Sequence, residues 1–185
     1  MGQLRSQSNP SNKGWRFIMW ATIATLLILP ALAMQFTSQV NWSPSDFVSA
    51  ALLLGLAGAS IELIMWAQRS WAYRGAMLVT VALALMTAWA NGAVGIIGKE
   101  NNPLNLLFFI PLLAGAVTAA IVRFRPTPMC WIMAAIAVSQ FVIAAIAAAA
   151  GHWIWIAAAV VGGGWSLSSI LFDRAGREQR LRNAS

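Results

Sequence analysis

Six long apolar runs separated by short polar breaks divide the chain: Arg16–Met34, Phe47–Gln68, Gly75–Gly98, Leu104–Val122, Met129–Gly151 and Trp153–Asp173. Each holds about 18–24 residues, and at roughly 1.5 Å of rise per residue that crosses a hydrocarbon core of about 30 Å. The runs do not alternate apolar and polar residues as barrel strands do. A helix bonds every backbone N–H and C=O within its own segment, which hydrocarbon demands. The pattern predicts an all-α membrane protein, a six-transmembrane-helix bundle over residues 15–173. A flexible tail over 1–14 precedes it and a basic tail over 174–185 follows it.

Charge orients the pattern. Of the twelve Lys and Arg residues, only Lys99 falls in a break on the opposite side from the rest. Arg5, Lys13 and Arg16 precede the first run, Arg69 and Arg74 join the second to the third, and Arg123 and Arg125 join the fourth to the fifth. Arg174, Arg177, Arg180 and Arg182 follow the sixth. Basic residues stay cytoplasmic during insertion, so both termini are expected inside.

Composition agrees, at 59% hydrophobic and 9% charged, against about 25% charged in soluble domains. The net charge of +7 is spread over inside loops and tails, with no basic–aromatic platform outside the bilayer, so no nucleic acid is expected. The arginines at 174, 177, 180 and 182 are placed to touch anionic lipid headgroups, at about 1 kcal/mol per basic residue. The partners expected are the bilayer, such lipids and a second copy or other membrane subunit of unknown kind. Cys130 is the single cysteine, which excludes an internal disulfide and any cysteine-held metal centre; no cofactor is expected.

The first run, ending Ala31-Leu32-Ala33, resembles a cleavable signal peptide, but exceeds a usual signal core and reads as the first helix. The Met1–Ser6 start fits a myristoylation pattern that six spans make redundant. Trp15, Trp66, Trp71 and Trp131 fall near inner boundaries and Trp42, Trp153 and Trp155 near outer ones, the level that amphipathic rings favour. The Thr37–Asp46 break, with Trp42 and Pro44, reads as a loop at the headgroups. Small residues (Gly55, Gly58 and Ala59; Gly92 and Gly95; Ala145–Ala150; Gly162–Gly164) allow close helix approach.

Polar residues inside the runs are the candidate chemistry. Glu62 lies one to two turns from the inner end of the second run, on one face with Gly55, Gly58 and Trp66. An intramembrane acid costs on the order of 3 kcal/mol and is a functional hypothesis by default. It reads either as a proton- or cation-exchanging carboxylate, or as a protonated or hydrogen-bonded acid locking the second, third and sixth helices, or as a flexible side chain reaching inner-leaflet water or Arg69. Thr80, Thr118, Ser166, Ser168 and Ser169 come to a similar depth and predict a polar ring. A stripe of Thr80, Thr87, Asn91 and Gly95 follows the third run, and Gln140 sits near mid-depth in the fifth. Interhelical hydrogen bonding and a polar permeation path both fit these amides.

The break after the third run is the densest polar cluster. Gly98 suits a helix C-terminal turn, and Asn102 followed by Pro103 reads as an N-cap and first helical residue. Glu100, Asn102, Asn105 and His152 lie on the same expected external face, where with Asp46 they would form a rim for a cation or substrate. Local capping explains the same residues.

The run Asn91–Leu106, NGAVGIIGKENNPLNL, resembles the signature of a family of small uncharacterised bacterial multi-pass inner-membrane proteins. The Arg123-Phe124-Arg125-Pro126 turn is similar to the segment that follows it there. Lys99 departs from the small or polar residue expected at its place. The resemblance implies a bacterial inner membrane and brings no activity.

With one histidine and one cysteine on opposite faces and no phosphate-cradling loop, catalysis is not expected. Two readings stand. In one the protein moves a small solute, ion or proton past Glu62, Asn91 and Gln140, with the Glu100–Asn105 turn as a mouth. In the other it is an accessory or scaffold subunit of a membrane complex, and the polar groups only lock helices.

Overall fold

The computed structural model describes residues 11–66, 70–99 and 101–184; Arg5, Arg69 and Glu100 lie outside these, as do the side chains of Lys13 and Trp66. Each apolar run became a helix: α1 (Ser11–Phe36), α2 (Pro44–Trp66), α3 (Trp71–Ala93), α4 (Phe109–Ile121), α5 (Pro126–Ala149) and α6 (Trp155–Ala184). A 3₁₀ turn, Pro103–Phe108, leads into α4, and with it the fourth span covers Pro103–Ile121. All six segments are long and apolar enough to cross a membrane. This is a multi-pass helical membrane protein.

Local chemistry sets the helix starts. At α2, the Ser43 N–H donates to Asp46 Oδ2 at 2.7 Å while the Asp46 N–H returns to Ser43 Oγ at 3.3 Å, a reciprocal capping box with Pro44 at the first helical position. Asp46 is therefore part of a helix cap, and the break expected over Thr37–Asp46 is shorter by these residues. Ser70 caps α3 by accepting from the Tyr73 N–H at 3.4 Å. Asn102 caps the 3₁₀ turn, its side chain accepting from the Leu104 N–H at 3.0 Å ahead of Pro103.

Several helix ends differ from expectation: α1 begins at Ser11, inside the tail expected to be flexible over 1–14, and α3 begins at Trp71 rather than Gly75, where Ser70 caps it. α3 stops at Ala93, short of Gly98, because Gly95 (φ 71°) and Gly98 (φ 70°) take left-handed backbone and turn the chain over. α6 runs on through the whole basic segment to Ala184, 30 residues in all. At about 1.5 Å per residue it exceeds the roughly 30 Å of a hydrocarbon core by several turns. Pairs one turn apart, Asp173–Arg177 at 2.8 Å and Glu178–Arg182 at 3.8 Å, support the projecting part.

The chain divides into two units, residues 1–63 and 64–185. In the first, α2 presents Gly58 to α1, where an added Cβ would lie 2.7 Å from Ile23 Cδ1, so the two backbones approach closely there. Outward side chains such as Phe17, Leu29, Leu52 and Leu56 are exposed and apolar, as lipid requires.

In the second unit α5 and α6 pack along their length, with α3 against α6 and α4 against α5. Two apolar clusters fill it. One gathers Tyr73, Ala76, Met133, Ala137, Trp165 and Phe172; the other gathers Ile97, Phe108, Ile143, Ala147, Ile154 and Ala158. Tyr73 stands edge-on to Phe172 and donates its hydroxyl to the Phe124 carbonyl at 2.9 Å. That contact and the packing of Gly176 on Thr127 bring the start of α3, the α4–α5 turn and the far part of α6 to one end. The α3–α4 loop and the α5–α6 turn, joined through Asn102 and His152, form the other end.

Candidate functional site

Glu62 is not a lone acid. Arg16 donates to it through Nε (2.8 Å) and Nη2 (3.1 Å), and Trp20 Nε1 donates at 2.8 Å. Both donors come from α1, so the carboxylate ties α2 to α1 within the first unit; Arg69, another partner expected for it, lies outside the described residues. Two-pronged guanidinium–carboxylate pairing uses both oxygens. The small-residue face of α2 was legible in sequence; its partner was not, since Arg16 read only as part of the basic flank.

The expected polar ring is smaller than its sequence pattern. Thr80 Oγ1 meets Ser168 Oγ at 2.7 Å and Met133 Sδ at 3.3 Å, and Ser168 Oγ reaches the Ala76 carbonyl at 3.1 Å. Ser169 Oγ donates to the Cys130 carbonyl at 2.8 Å. These bonds knot α3, α5 and α6. Thr118 and Ser166 instead turn back to carbonyls of their own helices, those of Ala114 and Gly162.

Thr87, Asn91 and Gln140 behave differently. All three are buried, Asn91 to 4% exposure and Gln140 to 1%. Asn91 Nδ2 donates to the Thr87 carbonyl at 2.8 Å, and Gln140 Nε2 to the Ile136 carbonyl at 3.4 Å. Among the described residues Thr87 Oγ1, Asn91 Oδ1 and Gln140 Oε1 have no hydrogen-bond partner, nor does Trp165 Nε1. Gln140 separates the two apolar clusters along α5, and Thr87 and Asn91 on α3 fall between Ala84, packed against one, and Ile96, just past the helix and packed against the other. A layer of unspent acceptors thus interrupts the core. Each such group costs about 1–3 kcal/mol unless something bonds it.

Asn91 also opens on a recess of about 340 Å³, shared with Asn101, Asn102 and Asn105 and closed on its apolar side by Leu106 and Phe109. The structure therefore joins one member of the expected intramembrane set to two of the expected external set. Asn105 is fully used: its Oδ1 accepts from the Ile97 N–H at 2.8 Å and its Nδ2 donates to the carbonyls of Lys99 (2.8 Å) and Ile97 (3.4 Å). Asn102 caps the 3₁₀ turn and shares a 3.3 Å bond with His152 Nε2. His152 thus braces the loop from the α5–α6 turn. Glu100 lies outside the described residues, Thr80 is not among the residues lining the recess, and Gln140 stands deeper along α5. Asn101 belongs to it and was passed over in the sequence, where only its capping neighbour carried a recognisable role.

A second recess, of about 570 Å³, lies at the opposite end of the same unit, among Arg123, Arg125, Thr127, Gln179, Arg180 and Asn183. Of the four tail arginines expected to meet lipid, Arg180 lines it. Comparison with known protein families, with curated proteins and with solved structures finds no match to this chain.

Proposed function

We propose that the protein passes a small polar solute or a cation across the membrane, taking it up in the asparagine-lined recess of the second unit. The observation that carries this reading is Asn91, which lines that recess and whose buried Oδ1 has no hydrogen-bond partner among the described residues. A carbonyl oxygen left unbonded in a core favours an O–H or N–H donor or a cation, and Thr87 Oγ1 and Gln140 Oε1 repeat the same deficit further in. Amides do not ionise, so a proton relay is the weakest of the three cargoes. Glu62, held by Arg16 and Trp20, acts as a lock between α1 and α2 and not as the exchanging group. The cationic flanks support a placement with both termini cytoplasmic and the recess on the outer face of an inner membrane. The resemblance of the Asn91–Leu106 run supports a bacterial one.

The scaffold reading has its own support in the Glu62 and Thr80 bonds, which are complete and leave nothing for a solute. Two measurements separate the readings. In a Cys130→Ala background, Asn91→Cys should react with a membrane-impermeant thiol reagent. In proteoliposomes, a panel of small polyols, urea and alkali cations should show a flux that Asn91→Leu abolishes and Glu62→Gln leaves in place. A protected Asn91→Cys, or flux indifferent to Asn91→Leu, would overturn the transport reading.

A further inference from the structure

We infer that the α4–α5 turn and the projecting end of α6 form a binding site for a phosphate group. Arg123 and Arg125 from the turn and Arg180 from α6 converge on the 570 Å³ recess, with Thr127, Gln179 and Asn183 between them and no carboxylate among these six. Among the described residues none of the three arginines is held in an ion pair. The two acids of the projecting helix, Asp173 and Glu178, are engaged by Arg177 and Arg182, outside the lining. Arg180 is aimed across the recess, its Nη1 donating to Thr127 Oγ1 at 3.3 Å.

The backbone adds to the field. α5 begins here with Arg125 at its cap position and no side-chain cap bond. Pro126 and Pro128 bring no N–H of their own, so the Thr127 amide is the donor this first turn presents, at the positive end of the helix. Gly176 lets α6 lie against that turn: an added Cβ would sit 3.0 Å from Thr127 Oγ1. A single carboxylate is small for this space and for three guanidinium forks. A tetrahedral oxyanion, with several acceptor oxygens pointing apart, matches them.

The level of the site in the fold favours the same chemistry. α4 ends at Ile121 and α5 starts at Pro126, so the recess stands where the apolar spans stop and headgroup phosphates begin. The phosphate has two possible carriers, an anionic lipid headgroup or a soluble phosphate compound. The proposal is independent of the asparagine recess, which lies at the other end.

The test uses the full chain in phosphatidylcholine nanodiscs containing a minor share of phosphatidylglycerol, with retained lipid read by native mass spectrometry. A parallel arm titrates inorganic phosphate calorimetrically in neutral detergent at matched ionic strength. Replacing Arg123, Arg125 and Arg180 by Gln should weaken retention about 100-fold, whereas the charge-matched replacement of Arg174, Arg177 and Arg182 changes it little. Selective phosphatidylglycerol retention without phosphate binding assigns the site to lipid; phosphate binding lost with the first triplet assigns it to a soluble anion. Equal losses in both triplets, or no binding of either probe, overturn the proposal. If the first triplet fails to fold, Thr127→Val keeps every charge and should still lower binding about fivefold; no change there overturns it as well.

Discussion

α4 and α5 end in the same hydrogen-bonded reversal at opposite ends of the second unit. After α5, the Gly151 N–H bonds to the Ala148 carbonyl at 3.0 Å and the His152 N–H to the Ala147 carbonyl at 2.8 Å. After α4, the Arg123 N–H bonds to Ala120 at 3.0 Å and the Phe124 N–H to Ala119 at 2.9 Å. Both are Schellman closures, which need a left-handed residue just past the helix. Glycine fills that place at the first, with φ 82°; at the second it is Arg123, φ 53°, followed by Phe124, φ 52°. Left-handed backbone costs an L-residue roughly 1–2 kcal/mol. One end therefore adopts the relaxed solution and directs its polar side chains, Asn102 and Asn105, at its own backbone. The other accepts strain and keeps two guanidiniums on a tight turn with a third across from them. The difference teaches that the asparagine end is a self-bonded frame around one open acceptor, while the arginine end spends stability to hold charge outwards.

Asn105→Leu should break that frame most severely. The change removes one acceptor and one donating amide that together serve the Ile97 N–H and the carbonyls of Ile97 and Lys99. Buried backbone groups left unbonded cost about 1–3 kcal/mol each, so a loss of about 3 kcal/mol or more is expected in denaturant unfolding from micelles. A loss under about 1 kcal/mol would mean the loop does not depend on its own side chains, and the contrast between the ends would fail.

How much of this was legible beforehand depends on the range of the interaction. Span number and character follow from unbroken apolar length, because hydrocarbon leaves the backbone no alternative to helix. Asn102–Pro103 was readable as a cap since its bond to Leu104 reaches only two residues on. Asn105 was visible as a polar residue but not as a latch, because its use depends on Gly95 and Gly98 folding the loop back over it. The Arg16–Glu62 pair spans 46 residues and needs the docked helix pair to exist first. Arg123 and Arg125 were read by their charge and by the resemblance of their turn; the projecting α6 that turns them into one wall of a recess was read only as a basic tail over 174–185. The unspent acceptors of Thr87, Asn91 and Gln140 were visible as residue types, but a missing partner is a property of three-dimensional packing.

Exchanging the two closure residues sharpens the comparison from both sides. Arg123→Gly should raise unfolding stability by about 0.5–1 kcal/mol, the relief of strain less the extra freedom glycine gives the unfolded chain. Gly151→Ala should lower it by a similar amount. If Arg123→Gly stabilises the protein and weakens anion binding together, the turn trades stability for charge; if it does neither, the strain there is unrelated to the recess.

The smallest effect belongs to the knot between the two ends. Ser168→Ala removes the 2.7 Å contact with Thr80 and the 3.1 Å bond to Ala76, yet Thr80 still has Met133 Sδ within 3.3 Å. Interhelical hydrogen bonds in membranes average about 0.6 kcal/mol, and a loss of that order is expected. Anion retention at the arginine end and thiol labelling of Asn91→Cys at the other should both survive it. Were either to fall with Ser168→Ala, the ends would be coupled through α3, α5 and α6, and their differences would be two faces of one conformational balance rather than two separate local solutions.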